Sequence, residues 1–170
     1  MTLNGSKVEE QDKVTDDEVL YRRVPRKQPP GYDRSGGILR VLAQAFSEAP
    51  EKEGEFAGQY RLSVDRAKLR KHDPNLTRQG VPGLAPELFG VISMPAAEVR
   101  AILGIVDIIP DPIVNDPYLP DNPSHALICI TYSAGATKSA NQKIFREVIQ
   151  ELAAAANRRP WEIDPPDEPV

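Results

Sequence analysis

A chain of 170 residues with 40% hydrophobic and 27% charged residues is long and apolar enough for one domain with a real core. Its net charge of −4 and pI near 5.3 speak against a general nucleic-acid binder, and its single cysteine, Cys129, excludes an internal disulfide. The start "MTLNGSKVEEQDK" has no apolar signal region, and no run approaches the roughly 18 apolar residues that span a membrane, so a soluble cytoplasmic protein is expected.

Charge is segregated along the chain. Residues 1–18 carry six acids against two lysines, and residues 160–170 carry four acids and no base. The body between them therefore holds +4 of a chain that totals −4. Proline, at 17 residues against 11 glycines, signals long stiff connections. Three segments follow: a disordered acidic tail at 1–17, one globular domain at 18–158, and a proline-rich acidic tail at 159–170.

In chain order, "EVLYRRV" alternates Val19, Tyr21 and Arg23 with Leu20, Arg22 and Val24, which predicts a strand stopped by Pro25. A loop rich in proline and glycine follows. "ILRVLAQAF" sets Ile38, Leu42, Ala45 and Phe46 at helical spacing and predicts a short helix. "QYRLSV" alternates Tyr60, Leu62 and Val64 as a second strand, after which Asp65 is placed to cap a short "RAKLRK" helix. "HDPNLTRQGVPG" reads as a loop. "LFGVISM", "AAEVRAIL" and "IVDII" read as strand, helix and strand, with Ser93 as a candidate cap. "PDPIVNDPYLPDNPS" has five prolines in fifteen residues and is a loop. "HALICITYS" is the most apolar strand and is expected at the centre of the sheet. From Ser139 to about Asn157, Ile144, Phe145, Val148, Ile149, Leu152 and Ala156 form one helical stripe. The fold expected is mixed α/β, either α/β or α+β. It has a sheet of about five strands, three to four helices packed on it, a long C-terminal helix and disordered acidic tails.

The loop before that helix, "TYSAGATKSANQ", has the strand–loop–helix context of a phosphate-binding loop but not its sequence. Aligned on Lys138-Ser139, Tyr132 and Thr137 stand where both glycines belong. The narrower expectation is an anion at the first helical turn, held by Thr137, Lys138 and Ser139, against the ordinary alternative that Thr137 or Ser139 simply caps the helix. His125 opens an apolar strand after a loop with Asp111, Asp116 and Asp121, so it is a candidate base; the only other histidine, His72, is remote in sequence. Metal ligation needs more ligands at defined spacing, so neither metal nor cofactor is expected. Ser63, Ser93 and Ser133 stand outside any nucleophile-elbow pattern, and Cys129 lies mid-strand without an adjacent base.

Two basic stretches stand out: residues 21–40 at +5 and residues 61–80 at +4. If they share a face, Arg22, Arg23, Arg26, Arg61, Arg66 and Arg70 would attract phosphates, an acidic partner or the chain's own tails. Trp161 and Ile163, two apart among acids and prolines, suit docking along a groove or sheet edge, of a partner or of this same domain.

"LYRRV" and "YRLSV" resemble the arginine and serine strands of ADP-ribosyltransferase-like folds. That resemblance implies NAD phosphates held by Arg22 or Arg23 and a supporting role for Ser63. The family's catalytic glutamate, on a late strand, has no counterpart in "HALICITYS". With no complete catalytic constellation, the leading expectation is a non-enzymatic binding or adaptor domain. It would make protein–protein contacts through the basic face and the Trp161–Ile163 tail. The first alternative is an enzyme or sensor for a phosphate-bearing small molecule or nucleotide, using Thr137, Lys138, Ser139, His125, Arg22, Arg23 and Ser63. A nucleic-acid accessory protein is the second.

Overall fold

The computed structural model describes residues 12–27 and 29–167. The disorder expected of residues 1–11 therefore lies outside the described residues. Five strands, β1 (Val19–Pro25), β4 (Arg61–Arg66), β5 (Phe89–Pro95), β6 (Ile105–Pro110) and β7 (His125–Ile130), pair in the order β5-β1-β4-β7-β6. Every neighbouring pair is antiparallel, which makes the domain α+β. A separate two-residue ribbon pairs β2 (Tyr32–Asp33) with β3 (Arg40–Val41). Among the described residues, the α-helices bounded at both ends are α1 (Pro74–Arg78), α2 (Ala96–Arg100) and the 19-residue α3 (Lys138–Ala156). Among the described residues, no helix is long and apolar enough to cross a membrane.

Alternation along the strands divides the sheet into two faces. Leu20, Val24, Leu62, Val64, Ile92, Met94, Ile108, Ala126, Ile128 and Ile130 form one buried cluster with Phe145, Val148, Ile149 and Leu152 of α3. The apolar stripe read for α3 is thus its contact with the sheet. Thr137 caps α3 by accepting from Ala140 N–H at 3.1 Å. The opposite face carries Tyr21, Arg23, Arg61, Ser63, Asp65, His125, Leu127 and Cys129, which the register sets side by side.

Several expectations are corrected. "ILRVLAQAF" is no helix: Arg40–Val41 is β3 and only Ala43–Phe46 makes a three-ten turn. The Asn157 side chain bonds both Val41 N–H and Val41 C=O at 2.8 Å, and the Arg22 guanidinium takes the Ala45 carbonyl at 2.8 Å. Those backbone groups are satisfied by distant side chains instead of a helical ladder. Asp65 lies inside β4 and caps nothing; Ala67–Arg70 is a three-ten turn. The presumed loop at 72–83 contains α1, capped by Asp73, which accepts from Asn75 N–H at 2.9 Å. Ser93 is a buried member of β5, and Pro95 precedes α2 without a side-chain cap. β7 is second from the edge, and the central strand is the more polar β4.

Residues 12–17 were expected to be disordered, yet Val14 is 3% exposed and belongs to the core. They are held by Arg66, which donates to the carbonyls of Asp12 and Lys13 at 2.8 and 3.1 Å. The same guanidinium grips Glu18 through two bonds, at 2.8 and 3.1 Å, and both side chains are buried. Burial pushes the Glu18 carboxyl up. Arg66, the Thr15 N–H and Lys68 together outweigh that and hold it below its ordinary value of 4.5.

At the other end, the chain returns to the free edge of β5. Glu162 N–H and Ile163 N–H both donate to Val91 C=O, at 2.9 and 3.2 Å, and Ile163 C=O accepts from Val91 N–H at 2.9 Å. Trp161 packs against the core cluster under α3 and meets Tyr32 edge-on at 6.1 Å. Ile163 packs against Tyr21, Ala67 and Val91 on the opposite face. Tyr32 and Arg34 donate to the carbonyls of Pro166 and Pro165 at 3.0 and 2.8 Å. The edge anchors at 161 and 163 are thus seated on this same domain.

Two measurements follow. A Cβ on Gly90 would lie 2.7 Å from Trp161 Cζ3 and 2.9 Å from the Pro165 nitrogen. Gly90→Ala should therefore cost about 1–3 kcal/mol. It should also red-shift the fluorescence of Trp161, the sole tryptophan. Since Glu18 titrates lower folded than unfolded, its contribution is present above pH 4.5 and lost as pH falls through the folded value. Tm should drop faster below pH 4.5 in the wild type than in Glu18→Gln, which lacks this titration.

Candidate functional site

The alternation that buries Leu62 and Val64 turns Arg61, Ser63 and Asp65 of β4 to the opposite face. On β1 it turns Arg23 the same way and sends Arg22 under the sheet. The face is not left flat. From beyond β4, the Ala67–Arg70 turn and α1 rise on one side, and the loop of residues 111–124 folds back on the other. Between them lies a cleft of about 310 Å³, lined by Arg23 and Ser63, by Arg70, Leu76, Gln79 and Gly80, by Ile113, Leu119, Pro120, Asp121 and Asn122, and by His125.

The loop wall is built by short polar bonds. Ile113 and Asn122 exchange backbone bonds at 3.0 and 2.8 Å. Asp116 accepts from the N–H groups of Tyr118 and Leu119 at 2.8 and 2.9 Å, and Asp121 accepts from Asn115 N–H at 2.9 Å. Asn122 is buried. It donates to Asp65 Oδ1 at 2.9 Å, while its own Oδ1 accepts from the N–H and hydroxyl of Ser124. The many prolines and aspartates of this loop therefore build a wall.

Arg23 is the distinctive side chain. Its Nη1 donates to the Thr77 carbonyl at the end of α1, at 2.8 Å. Among the described residues, no carboxylate lies within ion-pair distance of it. Burial draws its pKa below the usual guanidinium range; Asp65 pulls it back up and Arg70 pushes it further down. Gly80 makes its position possible, since a Cβ there would stand 2.6 Å from Arg23 Nη1. Thr77 is 2% exposed and lines the inner end of the cleft beside Arg23, Ser63 and His125; its hydroxyl has no hydrogen-bond partner among the described residues. Arg61 stacks on Phe56 at 3.9 Å from the ring centre, and its buried Nε also lacks a partner. Arg70, by contrast, pairs with Asp65 at 3.4 Å.

His125 stands opposite Asp65 across the β4–β7 ladder. Its Nδ1 lies 2.8 Å from the Asp111 backbone carbonyl and 3.1 Å from the Asp111 carboxylate. Of the three aspartates read near it, Asp111 touches it, Asp121 lines the same cleft and Asp116 lines an adjoining chamber. Among the described residues, no three His, Cys, Asp or Glu side chains come together as a metal site. Cys129 is half-buried and its thiol is pushed up by burial, against the pull of Arg61.

The other named residues lie elsewhere. Arg22 is 8% exposed on the opposite face, bonded to Ala45 C=O, Ser63 C=O and Glu48. Of the residues joined by the ADP-ribosyltransferase-like resemblance, Arg23 and Ser63 line the main cleft, whereas Arg22 borders only its inner end and has its guanidinium bonded on the opposite face. Arg66 is committed to Glu18, and Arg26 lies near Tyr32. The basic stretches are therefore divided between the two faces. Lys138 lines a different hollow of about 210 Å³, with Tyr60, Tyr132 and Asn141 and without an arginine; the Thr137 hydroxyl is spent on the cap. Gln79, Asn122 and Thr77 were missed because their segments read as loops. The cap signal "DPN" at Asp73 could have revealed α1, which positions Thr77 and Gln79.

Asn122→Ala would strip Asp65 of a buried donor and Ser124 of its acceptor, which should cost about 1–3 kcal/mol. Faster amide exchange confined to residues 111–124 would show that the loop wall hangs on this side chain.

No protein-family model, no curated protein and no solved structure matches this chain.

Proposed function

We propose that the cleft binds a small molecule bearing a phosphate or a similar oxyanion. One observation carries this reading: Arg23, half-buried in the cleft, has a single carbonyl partner and no carboxylate among the described residues. A desolvated guanidinium without a counter-ion is costly, and an oxyanion in bidentate contact offsets that cost. The unsatisfied Thr77 hydroxyl and the donors of Ser63, Asn122 and Gln79 supply further contacts, while Leu76, Ile113 and Leu119 offer an apolar wall for the rest of the molecule. At about 310 Å³ the space suits a ligand of nucleotide size.

The adaptor reading has less support. It rests on charge segregation and the lack of a complete catalytic constellation, and would act through one basic face, the tails or both. The arginines are divided between two faces, and both anchors are occupied by the β5 edge.

The test is a thermal shift and calorimetry series with inorganic phosphate, diphosphate, adenosine monophosphate and chloride. At about 100 times Kd, bound ligand should stabilise the fold by about 2.7 kcal/mol, a Tm rise of about 5 °C or more. Arg23→Met should abolish that rise. It should leave the unliganded Tm equal or higher, because it removes an uncompensated buried charge. A flat response to every oxyanion at millimolar concentration sinks the reading, and so does full binding by Arg23→Met.

A further inference from the structure

The cleft has a second chamber of about 590 Å³, and the two meet over the same four residues: Ser63, Ile113, Leu119 and His125 line both. Arg23 belongs to the first chamber and Arg61 to the second, so two guanidiniums without carboxylate partners among the described residues flank this waist. The second chamber also has four carboxylates on its rim, but three are engaged. Glu48 is held by Arg22 at 2.9 Å, Asp111 by His125, and Asp116 by two amide groups of its own loop; Glu51 is exposed.

Of the four shared residues, only His125 has a side chain of the kind that serves as a general base. The Asp111 carbonyl can only accept, so the 2.8 Å bond assigns the hydrogen to Nδ1 and leaves the lone pair on Nε2. The Asp111 carboxylate, 3.1 Å from the same nitrogen, would stabilise the ring once it is protonated. This is the arrangement of a general base held and oriented by a third group.

Resting on the anion-binding reading above, we propose that the waist is a hydrolytic centre for phosphodiesters, with His125 Nε2 as general base. A diester has two organic arms, one for each chamber, and a charged phosphoryl group for the waist between Arg23 and Arg61. Nε2 takes a proton from water as the water oxygen bonds to phosphorus. The bond from phosphorus to the ester oxygen opposite the incoming water then breaks; that oxygen takes a proton from solvent water, and the imidazolium returns its proton to solvent. One water is consumed, and a monoester and an alcohol are released. Asp111 is a positioning residue in this scheme, since it acts only through His125.

The full chain would be assayed with bis(p-nitrophenyl) phosphate and p-nitrophenyl phosphate, alongside calorimetric binding of inorganic phosphate. The wild type should release p-nitrophenol faster from the diester than from the monoester. His125→Gln should lower kcat at least about 100-fold while its Kd for phosphate stays within about threefold. Asp111→Asn should lower kcat about tenfold with KM unchanged. A wild type that binds phosphate but hydrolyses the diester at the buffer rate overturns the hydrolytic proposal and leaves the binding reading standing. An undiminished His125→Gln does the same. Preference for the monoester overturns the two-arm assignment, and failure of the wild type to bind phosphate removes both readings.

Discussion

Arg22 and Arg23 are adjacent in the chain and point to opposite faces of the same sheet. That alternation, imposed by the pleat of β1, is the constraint on which the rest of the molecule depends. Arg22 goes under the sheet, where it lies 5.2 Å from the centre of the Phe46 ring and bonds Ala45, Glu48 and the Ser63 backbone. It thereby fixes the Ala43–Phe46 turn against β1 and β4 at the margin of the core. Arg23 goes to the other side, where nothing on the strand itself can neutralise it. One arginine organises packing and its neighbour organises the cleft.

The same alternation acts on β4, the central strand. Leu62 and Val64 are held down by α3, so Arg61, Ser63 and Asp65 must face away from it. Asp65 is stabilised there by Asn122 and Arg70, which ties the loop of residues 111–124 and the Ala67–Arg70 turn to the strand. The two walls of the cleft thus stand where they do partly because a buried carboxylate needs donors. A polar central strand is unusual for packing alone, and the cleft gives it a physical reason.

Both ends of the described chain close the domain. The Arg66–Glu18 pair holds residues 12–18 against the end of β4, and the Trp161–Ile163 segment covers the free edge of β5. Pairing at Val91 takes up an N–H and a C=O that this edge would otherwise offer to another chain. Gly90 is required there because Trp161 and Pro165 come too close for any side chain. The opposite edge, β6, keeps Val106 exposed beside Leu103, which is 96% exposed.

Local periodicity determined much of this protein by itself. The five strands, the α3 stripe, a cap at Thr137 or Ser139 and the missing glycines of the "TYSAGATKSANQ" loop all follow from spacing of a few residues. So does the pairing of Arg23 with one face and Arg22 with the other. Only the tertiary structure decided which face meets water and which meets α3, and hence which arginine enters a cleft. It also decided that "ILRVLAQAF" gives up its helix, because Asn157 and Arg22, far away in sequence, take the backbone groups a helix would use. His125 and Asp111 could be named from the chain as a base and a neighbouring acid. Their contact, and their meeting with Arg23, Ser63 and Thr77, required strands separated by tens of residues to be brought into register. Periodicity is a short-range property of the backbone, whereas a site is a long-range coincidence of side chains.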